Sequence, residues 1–243
     1  MEIVGDEAPT GERIRERYAA LLKRLRTAAE ANGHDPDRLR IVAVTKTWPP
    51  DVARAAFEAG LPILGENRVQ EAEPKIAAVP EAEWHLLGRL QSNKARRAVR
   101  AFATIHSVDS VDLLRRLDEL RLDEGRGVDI LIQVNVSGEE AKAGLPPGEW
   151  MAPEAVTELR RARPIGLMTI APKGATEDEA RAVFRGLREV RDRLEQATGL
   201  PMPELSMGMT ADAEAAAAEG ATLVRIGTAL FGPRHETAAI LRA

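Results

Sequence analysis

The chain has 243 residues, of which 44% are hydrophobic and 30% charged, with a net charge of -4. That balance supports a folded core and argues against a disordered segment or a dedicated nucleic-acid binder, while leaving room for one anion-binding pocket. There is no cysteine, which excludes disulfides, thiol catalysis and thiolate metal sites, and aromatics at 3% leave a core of Ala, Val, Leu and Ile.

Residues 1–9 carry neither a basic region nor an apolar signal core. No stretch reaches the ~18 apolar residues of a membrane span, so the expected protein is soluble and cytoplasmic. From Gly11 to Gly33 one amphipathic helix is predicted, with Ile14, Tyr18, Leu21, Leu22 and Leu25 on one face, Thr10 as its cap and Gly33 as its stop. Strands and helices then alternate. Strands are predicted over Ile41–Lys46, Ile63–Asn67, Trp84–Gly88, Thr104–Val108, Asp129–Val136, Pro164–Ile170, Glu204–Met207 and Leu223–Ile226. Helices are predicted over Asp51–Ala59, Ser92–Phe102, Val111–Leu122, Ala175–Ala197 and Asp212–Glu219.

About eight strand–helix repeats predict parallel pairing with right-handed crossovers, and in a chain of this size a closed (β/α)8 TIM barrel. An open doubly wound sheet is the alternative. The expected organisation is a single domain over 1–243, with the barrel over about 41–232 and one extra N-terminal helix.

In such a barrel the chemistry gathers where strands end. Ile41-Val-Ala-Val-Thr-Lys46 is a branched apolar run closed by a lysine. A partly dry lysine there can act as a Schiff-base nucleophile, or can simply pair with a carboxylate. Ser206-Met-Gly208-Met-Thr210-Ala-Asp212 and Arg225-Ile-Gly227-Thr228 put glycines and hydroxyls into the last two loops, where barrels often hold phosphate. The plainer reading makes Thr210 or Asp212 an ordinary cap and the glycines mere turns. A lysine beside a phosphate cradle suits pyridoxal 5'-phosphate (PLP) and also sugar-phosphate aldolases. Arg225 either faces the cofactor's ring nitrogen or pairs across the barrel.

Together, Ala43-Val-Thr-Lys-Thr47, Gly65-Glu-Asn-Arg-Val-Gln-Glu71, Trp84-His-Leu-Leu-Gly-Arg-Leu-Gln-Ser-Asn-Lys94, Ser206-Met-Gly-Met-Thr-Ala-Asp212 and Val224-Arg-Ile-Gly-Thr-Ala-Leu-Phe-Gly232 resemble the pyridoxal phosphate homeostasis protein family. That family has the barrel of alanine racemase, among the fold-type III PLP-binding proteins. The resemblance implies that Lys46 forms the aldimine with PLP and that Arg225 faces the pyridine nitrogen. It also implies that Ser206, Gly208, Thr210, Gly227 and Thr228 belong to the phosphate loops, and that Asn67 lines the ring. Leu86, Leu87 and Thr210 are mild departures from the family's usual residues.

The implied function is a PLP store that supplies apo-enzymes, with PLP and those apo-enzymes as expected partners, as a monomer or weak homodimer, and without catalytic residues. A racemase is the alternative. Racemisation needs a second acid/base group, and the sole tyrosine, Tyr18, is expected to pack in the leading helix. His85 and His106 are expected as core or orienting histidines, Ser92 as a helix cap, and Lys94, Arg96 and Lys142 as solvated. No metal site is expected from four scattered histidines.

Overall fold

A computed structural model describes residues 8–125, 127–138, 143–144, 146–150, 159 and 163–233. Its eight strands are β1 (Arg40–Val44), β2 (Ile63–Glu66), β3 (Glu83–Leu86), β4 (Thr104–Val108), β5 (Asp129–Gln133), β6 (Arg163–Met168), β7 (Glu204–Ser206) and β8 (Leu223–Ile226). All pair in parallel with their sequence neighbours, and β8 returns to β1, which closes the barrel and rules out the open sheet.

Side-chain alternation sorts the strands into two layers. In β1, Val42 points inward and joins Ile63, Leu131, Met168 and Leu223 in a small interior cluster. Its neighbours Ile41 and Ala43 point outward into the much larger strand–helix layer. Several strands are shorter than expected at their C-terminal ends. β1 stops at Val44, so Lys46 belongs to the following turn.

Helix α1 (Gly11–Ala31) begins where the Thr10 hydroxyl accepts the Arg13 amide at 3.3 Å and ends before Gly33, whose φ of 77° leaves the helix. It buries Ile14, Leu21, Leu25 and Ala29 along one stripe. The helix after β8, Thr228–Phe231, is a single turn. α1 packs on that turn, on the Ala213–Ala218 helix and on α2 (Pro50–Glu58), so it occupies the place in the outer ring that an eighth long helix would fill. The Arg17 guanidinium fastens it there by donating to the Leu230 carbonyl at 3.0 Å.

The helix Glu177–Thr198 opens with a complete capping box between Thr176 and Glu179 and buries Ala180, Phe184, Leu187, Val190 and Leu194. Another helix, α3 (Val69–Ala78), lies in a segment where none was expected, and it carries Pro74 in its interior. The expected Ser92–Phe102 helix divides into a 3-10 turn (Ser92–Lys94) and α4 (Ala95–Ala101). Ser92 begins the turn instead of capping it, and Gln91 at the cap position makes no side-chain cap bond either. No described helix is long and apolar enough to cross a membrane.

Candidate functional site

The C-terminal ends of the strands form the barrel mouth, and the β1 end is built on buried polar contacts. Thr45 is fully buried, and its carbonyl accepts two bonds, from the Trp48 amide at 3.0 Å and from Lys75 Nζ at 2.7 Å. The first bond closes a turn that carries Lys46 and Thr47 at its apex. Thr47 has φ 70°, the left-handed value that a type II turn demands of its third residue and that β-branched residues rarely adopt. Lys46 stands half-buried at this apex.

Lys75 reaches this carbonyl from α3. It also donates to Glu66 Oε1 at 2.6 Å, and Glu66 accepts the Thr45 hydroxyl at 2.6 Å. Both charges are buried, at 5% exposure for Lys75 and 0% for Glu66. The second Glu66 oxygen, Oε2, is buried without a hydrogen-bond partner. Asn67 follows at the rim, half-buried. A Cβ on Gly88 would lie 2.2 Å from the Asn67 carbonyl oxygen, so only glycine lets the β3 loop pass beside it.

On the opposite side of the seam, β8 aligns Arg225 with Val42 of β1 and Ile226 with Ala43. Gly227 therefore falls beside Val44, two residues from Lys46. A Cβ built on Gly227 would meet nothing closer than the Val44 carbonyl oxygen at 3.5 Å. The protein itself leaves space here for a side chain, so the glycine keeps the backbone open to a ligand. Thr228, next along, is exposed.

Arg225 is buried at 5% exposure and points into the mouth's base. It donates to the Thr169 carbonyl at 2.8 Å and to the Ser206 hydroxyl at 2.6 Å. Burial pushes its pKa down to about 10, with Asp212 opposing, so the guanidinium stays charged at neutral pH. The alternative reading of Arg225, a carboxylate partner across the barrel, gives way to a hydroxyl and a carbonyl.

Ser206 is placed differently from the expectation for a phosphate hydroxyl. It is fully buried inside the barrel, where its oxygen accepts from Arg225 and lies 2.8 Å from His106 Nδ1. Its side chain supports Arg225 instead of facing the rim. Gly208 turns with φ 87° against Ala216, whose Cβ would be 2.5 Å from a Gly208 Cβ. Thr210 is exposed and lines a cleft of about 260 Å³ with Thr176, Asp212 and Arg24. Asp212 accepts the Met209 amide at 2.6 Å and makes no side-chain cap bond to its helix.

His85 and His106 are core histidines, as expected, but they are joined. His85 Nδ1 lies 2.8 Å from His106 Nε2, and His85 Nε2 lies 2.8 Å from Glu83 Oε1. Burial, with His85, Arg225 and Arg40 nearby, holds His106 neutral far below the usual histidine range. Tyr18 packs half-buried on the core with its ring 4.0 Å from the Cβ position of Gly60, just past the end of α2 and therefore away from the mouth. Lys94 is half-buried in its 3-10 turn, and Arg96 pairs with Asp123 at 2.9 Å and with Glu124. Lys142 lies outside the described residues.

The sequence reading missed Glu66, Lys75 and Thr45 as a unit, and Ser206 as a support. Strand parity could have found Ser206, since Leu205 beside it faces outward.

Residues 17–235 match the family model of the alanine racemase N-terminal domain. The chain is 43% identical over 224 residues to a pyridoxal phosphate homeostasis protein of Pseudomonas aeruginosa, covering 91% of this chain and 96% of the relative. To the protein of that name from Aquifex aeolicus it is 40% identical over 222 residues, covering 90% and 97%. Among solved structures, PipY of Synechococcus elongatus PCC7942 with PLP bound superposes with a TM-score of 0.79 at 41% identity, covering 90% of this chain and all of that one.

Proposed function

Since the chain belongs to the pyridoxal phosphate homeostasis protein family, we propose that it binds PLP at the barrel mouth, stores it and hands it to apo-enzymes. The observation that carries this reading is the seam between β1 and β8. It brings a half-buried lysine, an open glycine turn and a buried arginine to one rim.

These residues fit the group. PLP, when bound, supplies an aldehyde that condenses reversibly with a primary amine. Lys46 provides that amine on a turn held by Thr45 and Lys75. Gly227 and Thr228 offer open backbone and a hydroxyl for the phosphate, with Gly208 and Thr210 as the second loop's contribution. Asn67 lines the ring. Arg225 faces the pyridine nitrogen as a pure donor, since a charged guanidinium has no proton acceptor to offer it. Ser206 serves through Arg225.

A store must release its cargo, and a mouth site whose lysine is half-exposed leaves the bond open to attack by an incoming amine. The racemase alternative needs a second acid/base group poised over the mouth, and Tyr18 is directed elsewhere. The protein mixed with PLP should develop a visible absorbance band, and borohydride should then fix the cofactor mass on the peptide containing Lys46. Lys46→Ala should lose both signals. A colourless mixture, or label elsewhere, refutes the site. Turnover of alanine at rates ordinary for enzymes, about 1–1,000 per second, refutes the storage role.

A further inference from the structure

Four buried side chains from four strands, with a partly exposed carboxylate at one end, form a continuous hydrogen-bonded series through the barrel interior. It runs from Glu83 at the start of β3, through His85, His106 of β4 and Ser206 of β7, to Arg225 of β8 at the mouth. Its contacts are 2.8, 2.8, 2.8 and 2.6 Å.

With one proton on each imidazole, the two ends decide the direction of every bond between them. A guanidinium can only donate, and an ionised carboxylate can only accept. Glu83 is held below the usual carboxylate range by its bond to His85, against the opposing effect of burial. Arg225 therefore donates to Ser206, whose hydroxyl donates to His106 Nδ1. His106 Nε2–H then donates to His85 Nδ1, and His85 Nε2–H donates to Glu83. With a single proton on each imidazole, each link has one donor and one acceptor and both protons sit on Nε2.

We infer that Glu83, His85 and His106 are positioning residues for Arg225, acting through Ser206 so that a carboxylate at the barrel floor holds the guanidinium oriented toward the cofactor at the mouth. The inference rests on the proposed PLP site. With the series running this way, the Ser206 proton points to His106 and both oxygen lone pairs are left for Arg225. Reversed, the Ser206 oxygen would have to accept from both His106 and Arg225, and its own proton would compete for the guanidinium's place.

The reversed series requires a proton on His85 Nδ1, which a neutral Glu83 donating to His85 Nε2, or a second proton on His85, would supply. The surroundings favour the ionised end. Arg40 of β1 acts electrostatically on Glu83 and His106, and is itself paired with Glu204 of β7 at 2.7 Å. At the other end Asp212 acts on Arg225 from the loop after β7.

Glu83→Gln is the decisive substitution, because its side chain is 46% exposed and an amide keeps the acceptor while adding a donor. Nitrogen-15 spectra of the histidines should be recorded on the protein without PLP, followed by PLP titration of the same samples. The native protein should show two interior histidines wholly in the Nε2–H form. The variant should show a mixture of both tautomers and a roughly 3–10-fold weaker affinity for PLP. Ser206→Ala should weaken PLP at least as much while leaving the His85 tautomer unchanged.

A native spectrum with the protons on Nδ1 overturns the series. Native tautomers as stated, with Glu83→Gln binding PLP as tightly as the parent, overturns the positioning role. A parent that binds no PLP, with tautomers as stated, fails the proposed function and leaves the series intact.

Discussion

Lys75→Met tests whether the buried pair with Glu66 sustains the turn that carries Lys46. The substitution removes the donor to the Thr45 carbonyl and the cation beside a carboxylate that is 0% exposed. The Thr45 hydroxyl remains as a donor to Glu66 Oε1, and Oε2 already has none. Removing one partner of a buried pair costs about 3–5 kcal/mol, because the other charge is left in a dry place. In a chain of this size 1 kcal/mol moves Tm by about 2–4 °C, so the midpoint should fall by about 6–20 °C.

The double variant Glu66→Gln/Lys75→Met leaves no buried charge and keeps an acceptor for the Thr45 hydroxyl, so it should recover at least half of that loss. Calorimetry, together with urea midpoints at unchanged slope, measures both quantities. A single-variant cost under about 1 kcal/mol, or no recovery in the double variant, would show that the pair is ornamental and that the turn stands without it.

Histidine linkage gives a second expectation. The folded chain keeps His106 neutral far below its usual range, while the unfolded chain protonates it near pH 6.5. The unfolded state then binds the extra proton, so stability falls as pH drops below about 6.5, by up to about 1.4 kcal/mol per pH unit for each such histidine. His34, also lowered chiefly by burial, adds to the slope in the same sense. His106→Gln should flatten the slope measured by urea unfolding between pH 6.5 and 5, with His34→Gln as the comparison, and an unchanged slope counts against a neutral His106. Glu83, with its lowered pKa, contributes stability above the ordinary carboxylate range that is lost only as pH falls through its own lower value, so its window lies below that of His106. Thr47→Gly should relieve the left-handed strain and raise stability by up to about 1 kcal/mol in thermal melts, since αL costs such a residue about 1–2 kcal/mol and glycine's extra chain entropy offsets part of the gain. A loss exceeding about 1 kcal/mol would contradict that strain. Gly88→Ala should cost about 1–3 kcal/mol by overpacking against the Asn67 carbonyl and should weaken PLP binding, and wild-type melting would refute the close approach.

The barrel was legible because most strands, β1, β2, β5, β6 and β8 among them, carry short branched apolar runs that alternate with helical patterns, a signal that survives without knowledge of neighbours. Strand ends were overrun because the first loop residues are themselves buried, Thr45 and Met207 among them. Helix α3 stayed hidden because its ten residues include Pro74 and three charges, and because one position of its buried stripe, beside Val69 and Ala72, is Lys75 turned inward. Hydroxyls before a glycine look alike in one dimension. Ser206 and Thr210 parted only when strand parity set one inside the wall and left the other at the surface. The direction of the histidine series depends on which atoms touch across four strands, and no spacing in the chain encodes that.

The seam between first and last strands also orders the protein's birth. Lys46 leaves the ribosome roughly 180 residues before Gly227, and α1 waits longer still, since 213 residues separate Arg17 from the Leu230 carbonyl that anchors it. On the proposed site, a nascent chain carries Lys46 through most of translation without the glycine turn and the arginine that would complete the pocket, and cofactor loading is expected only once synthesis has reached the final strand.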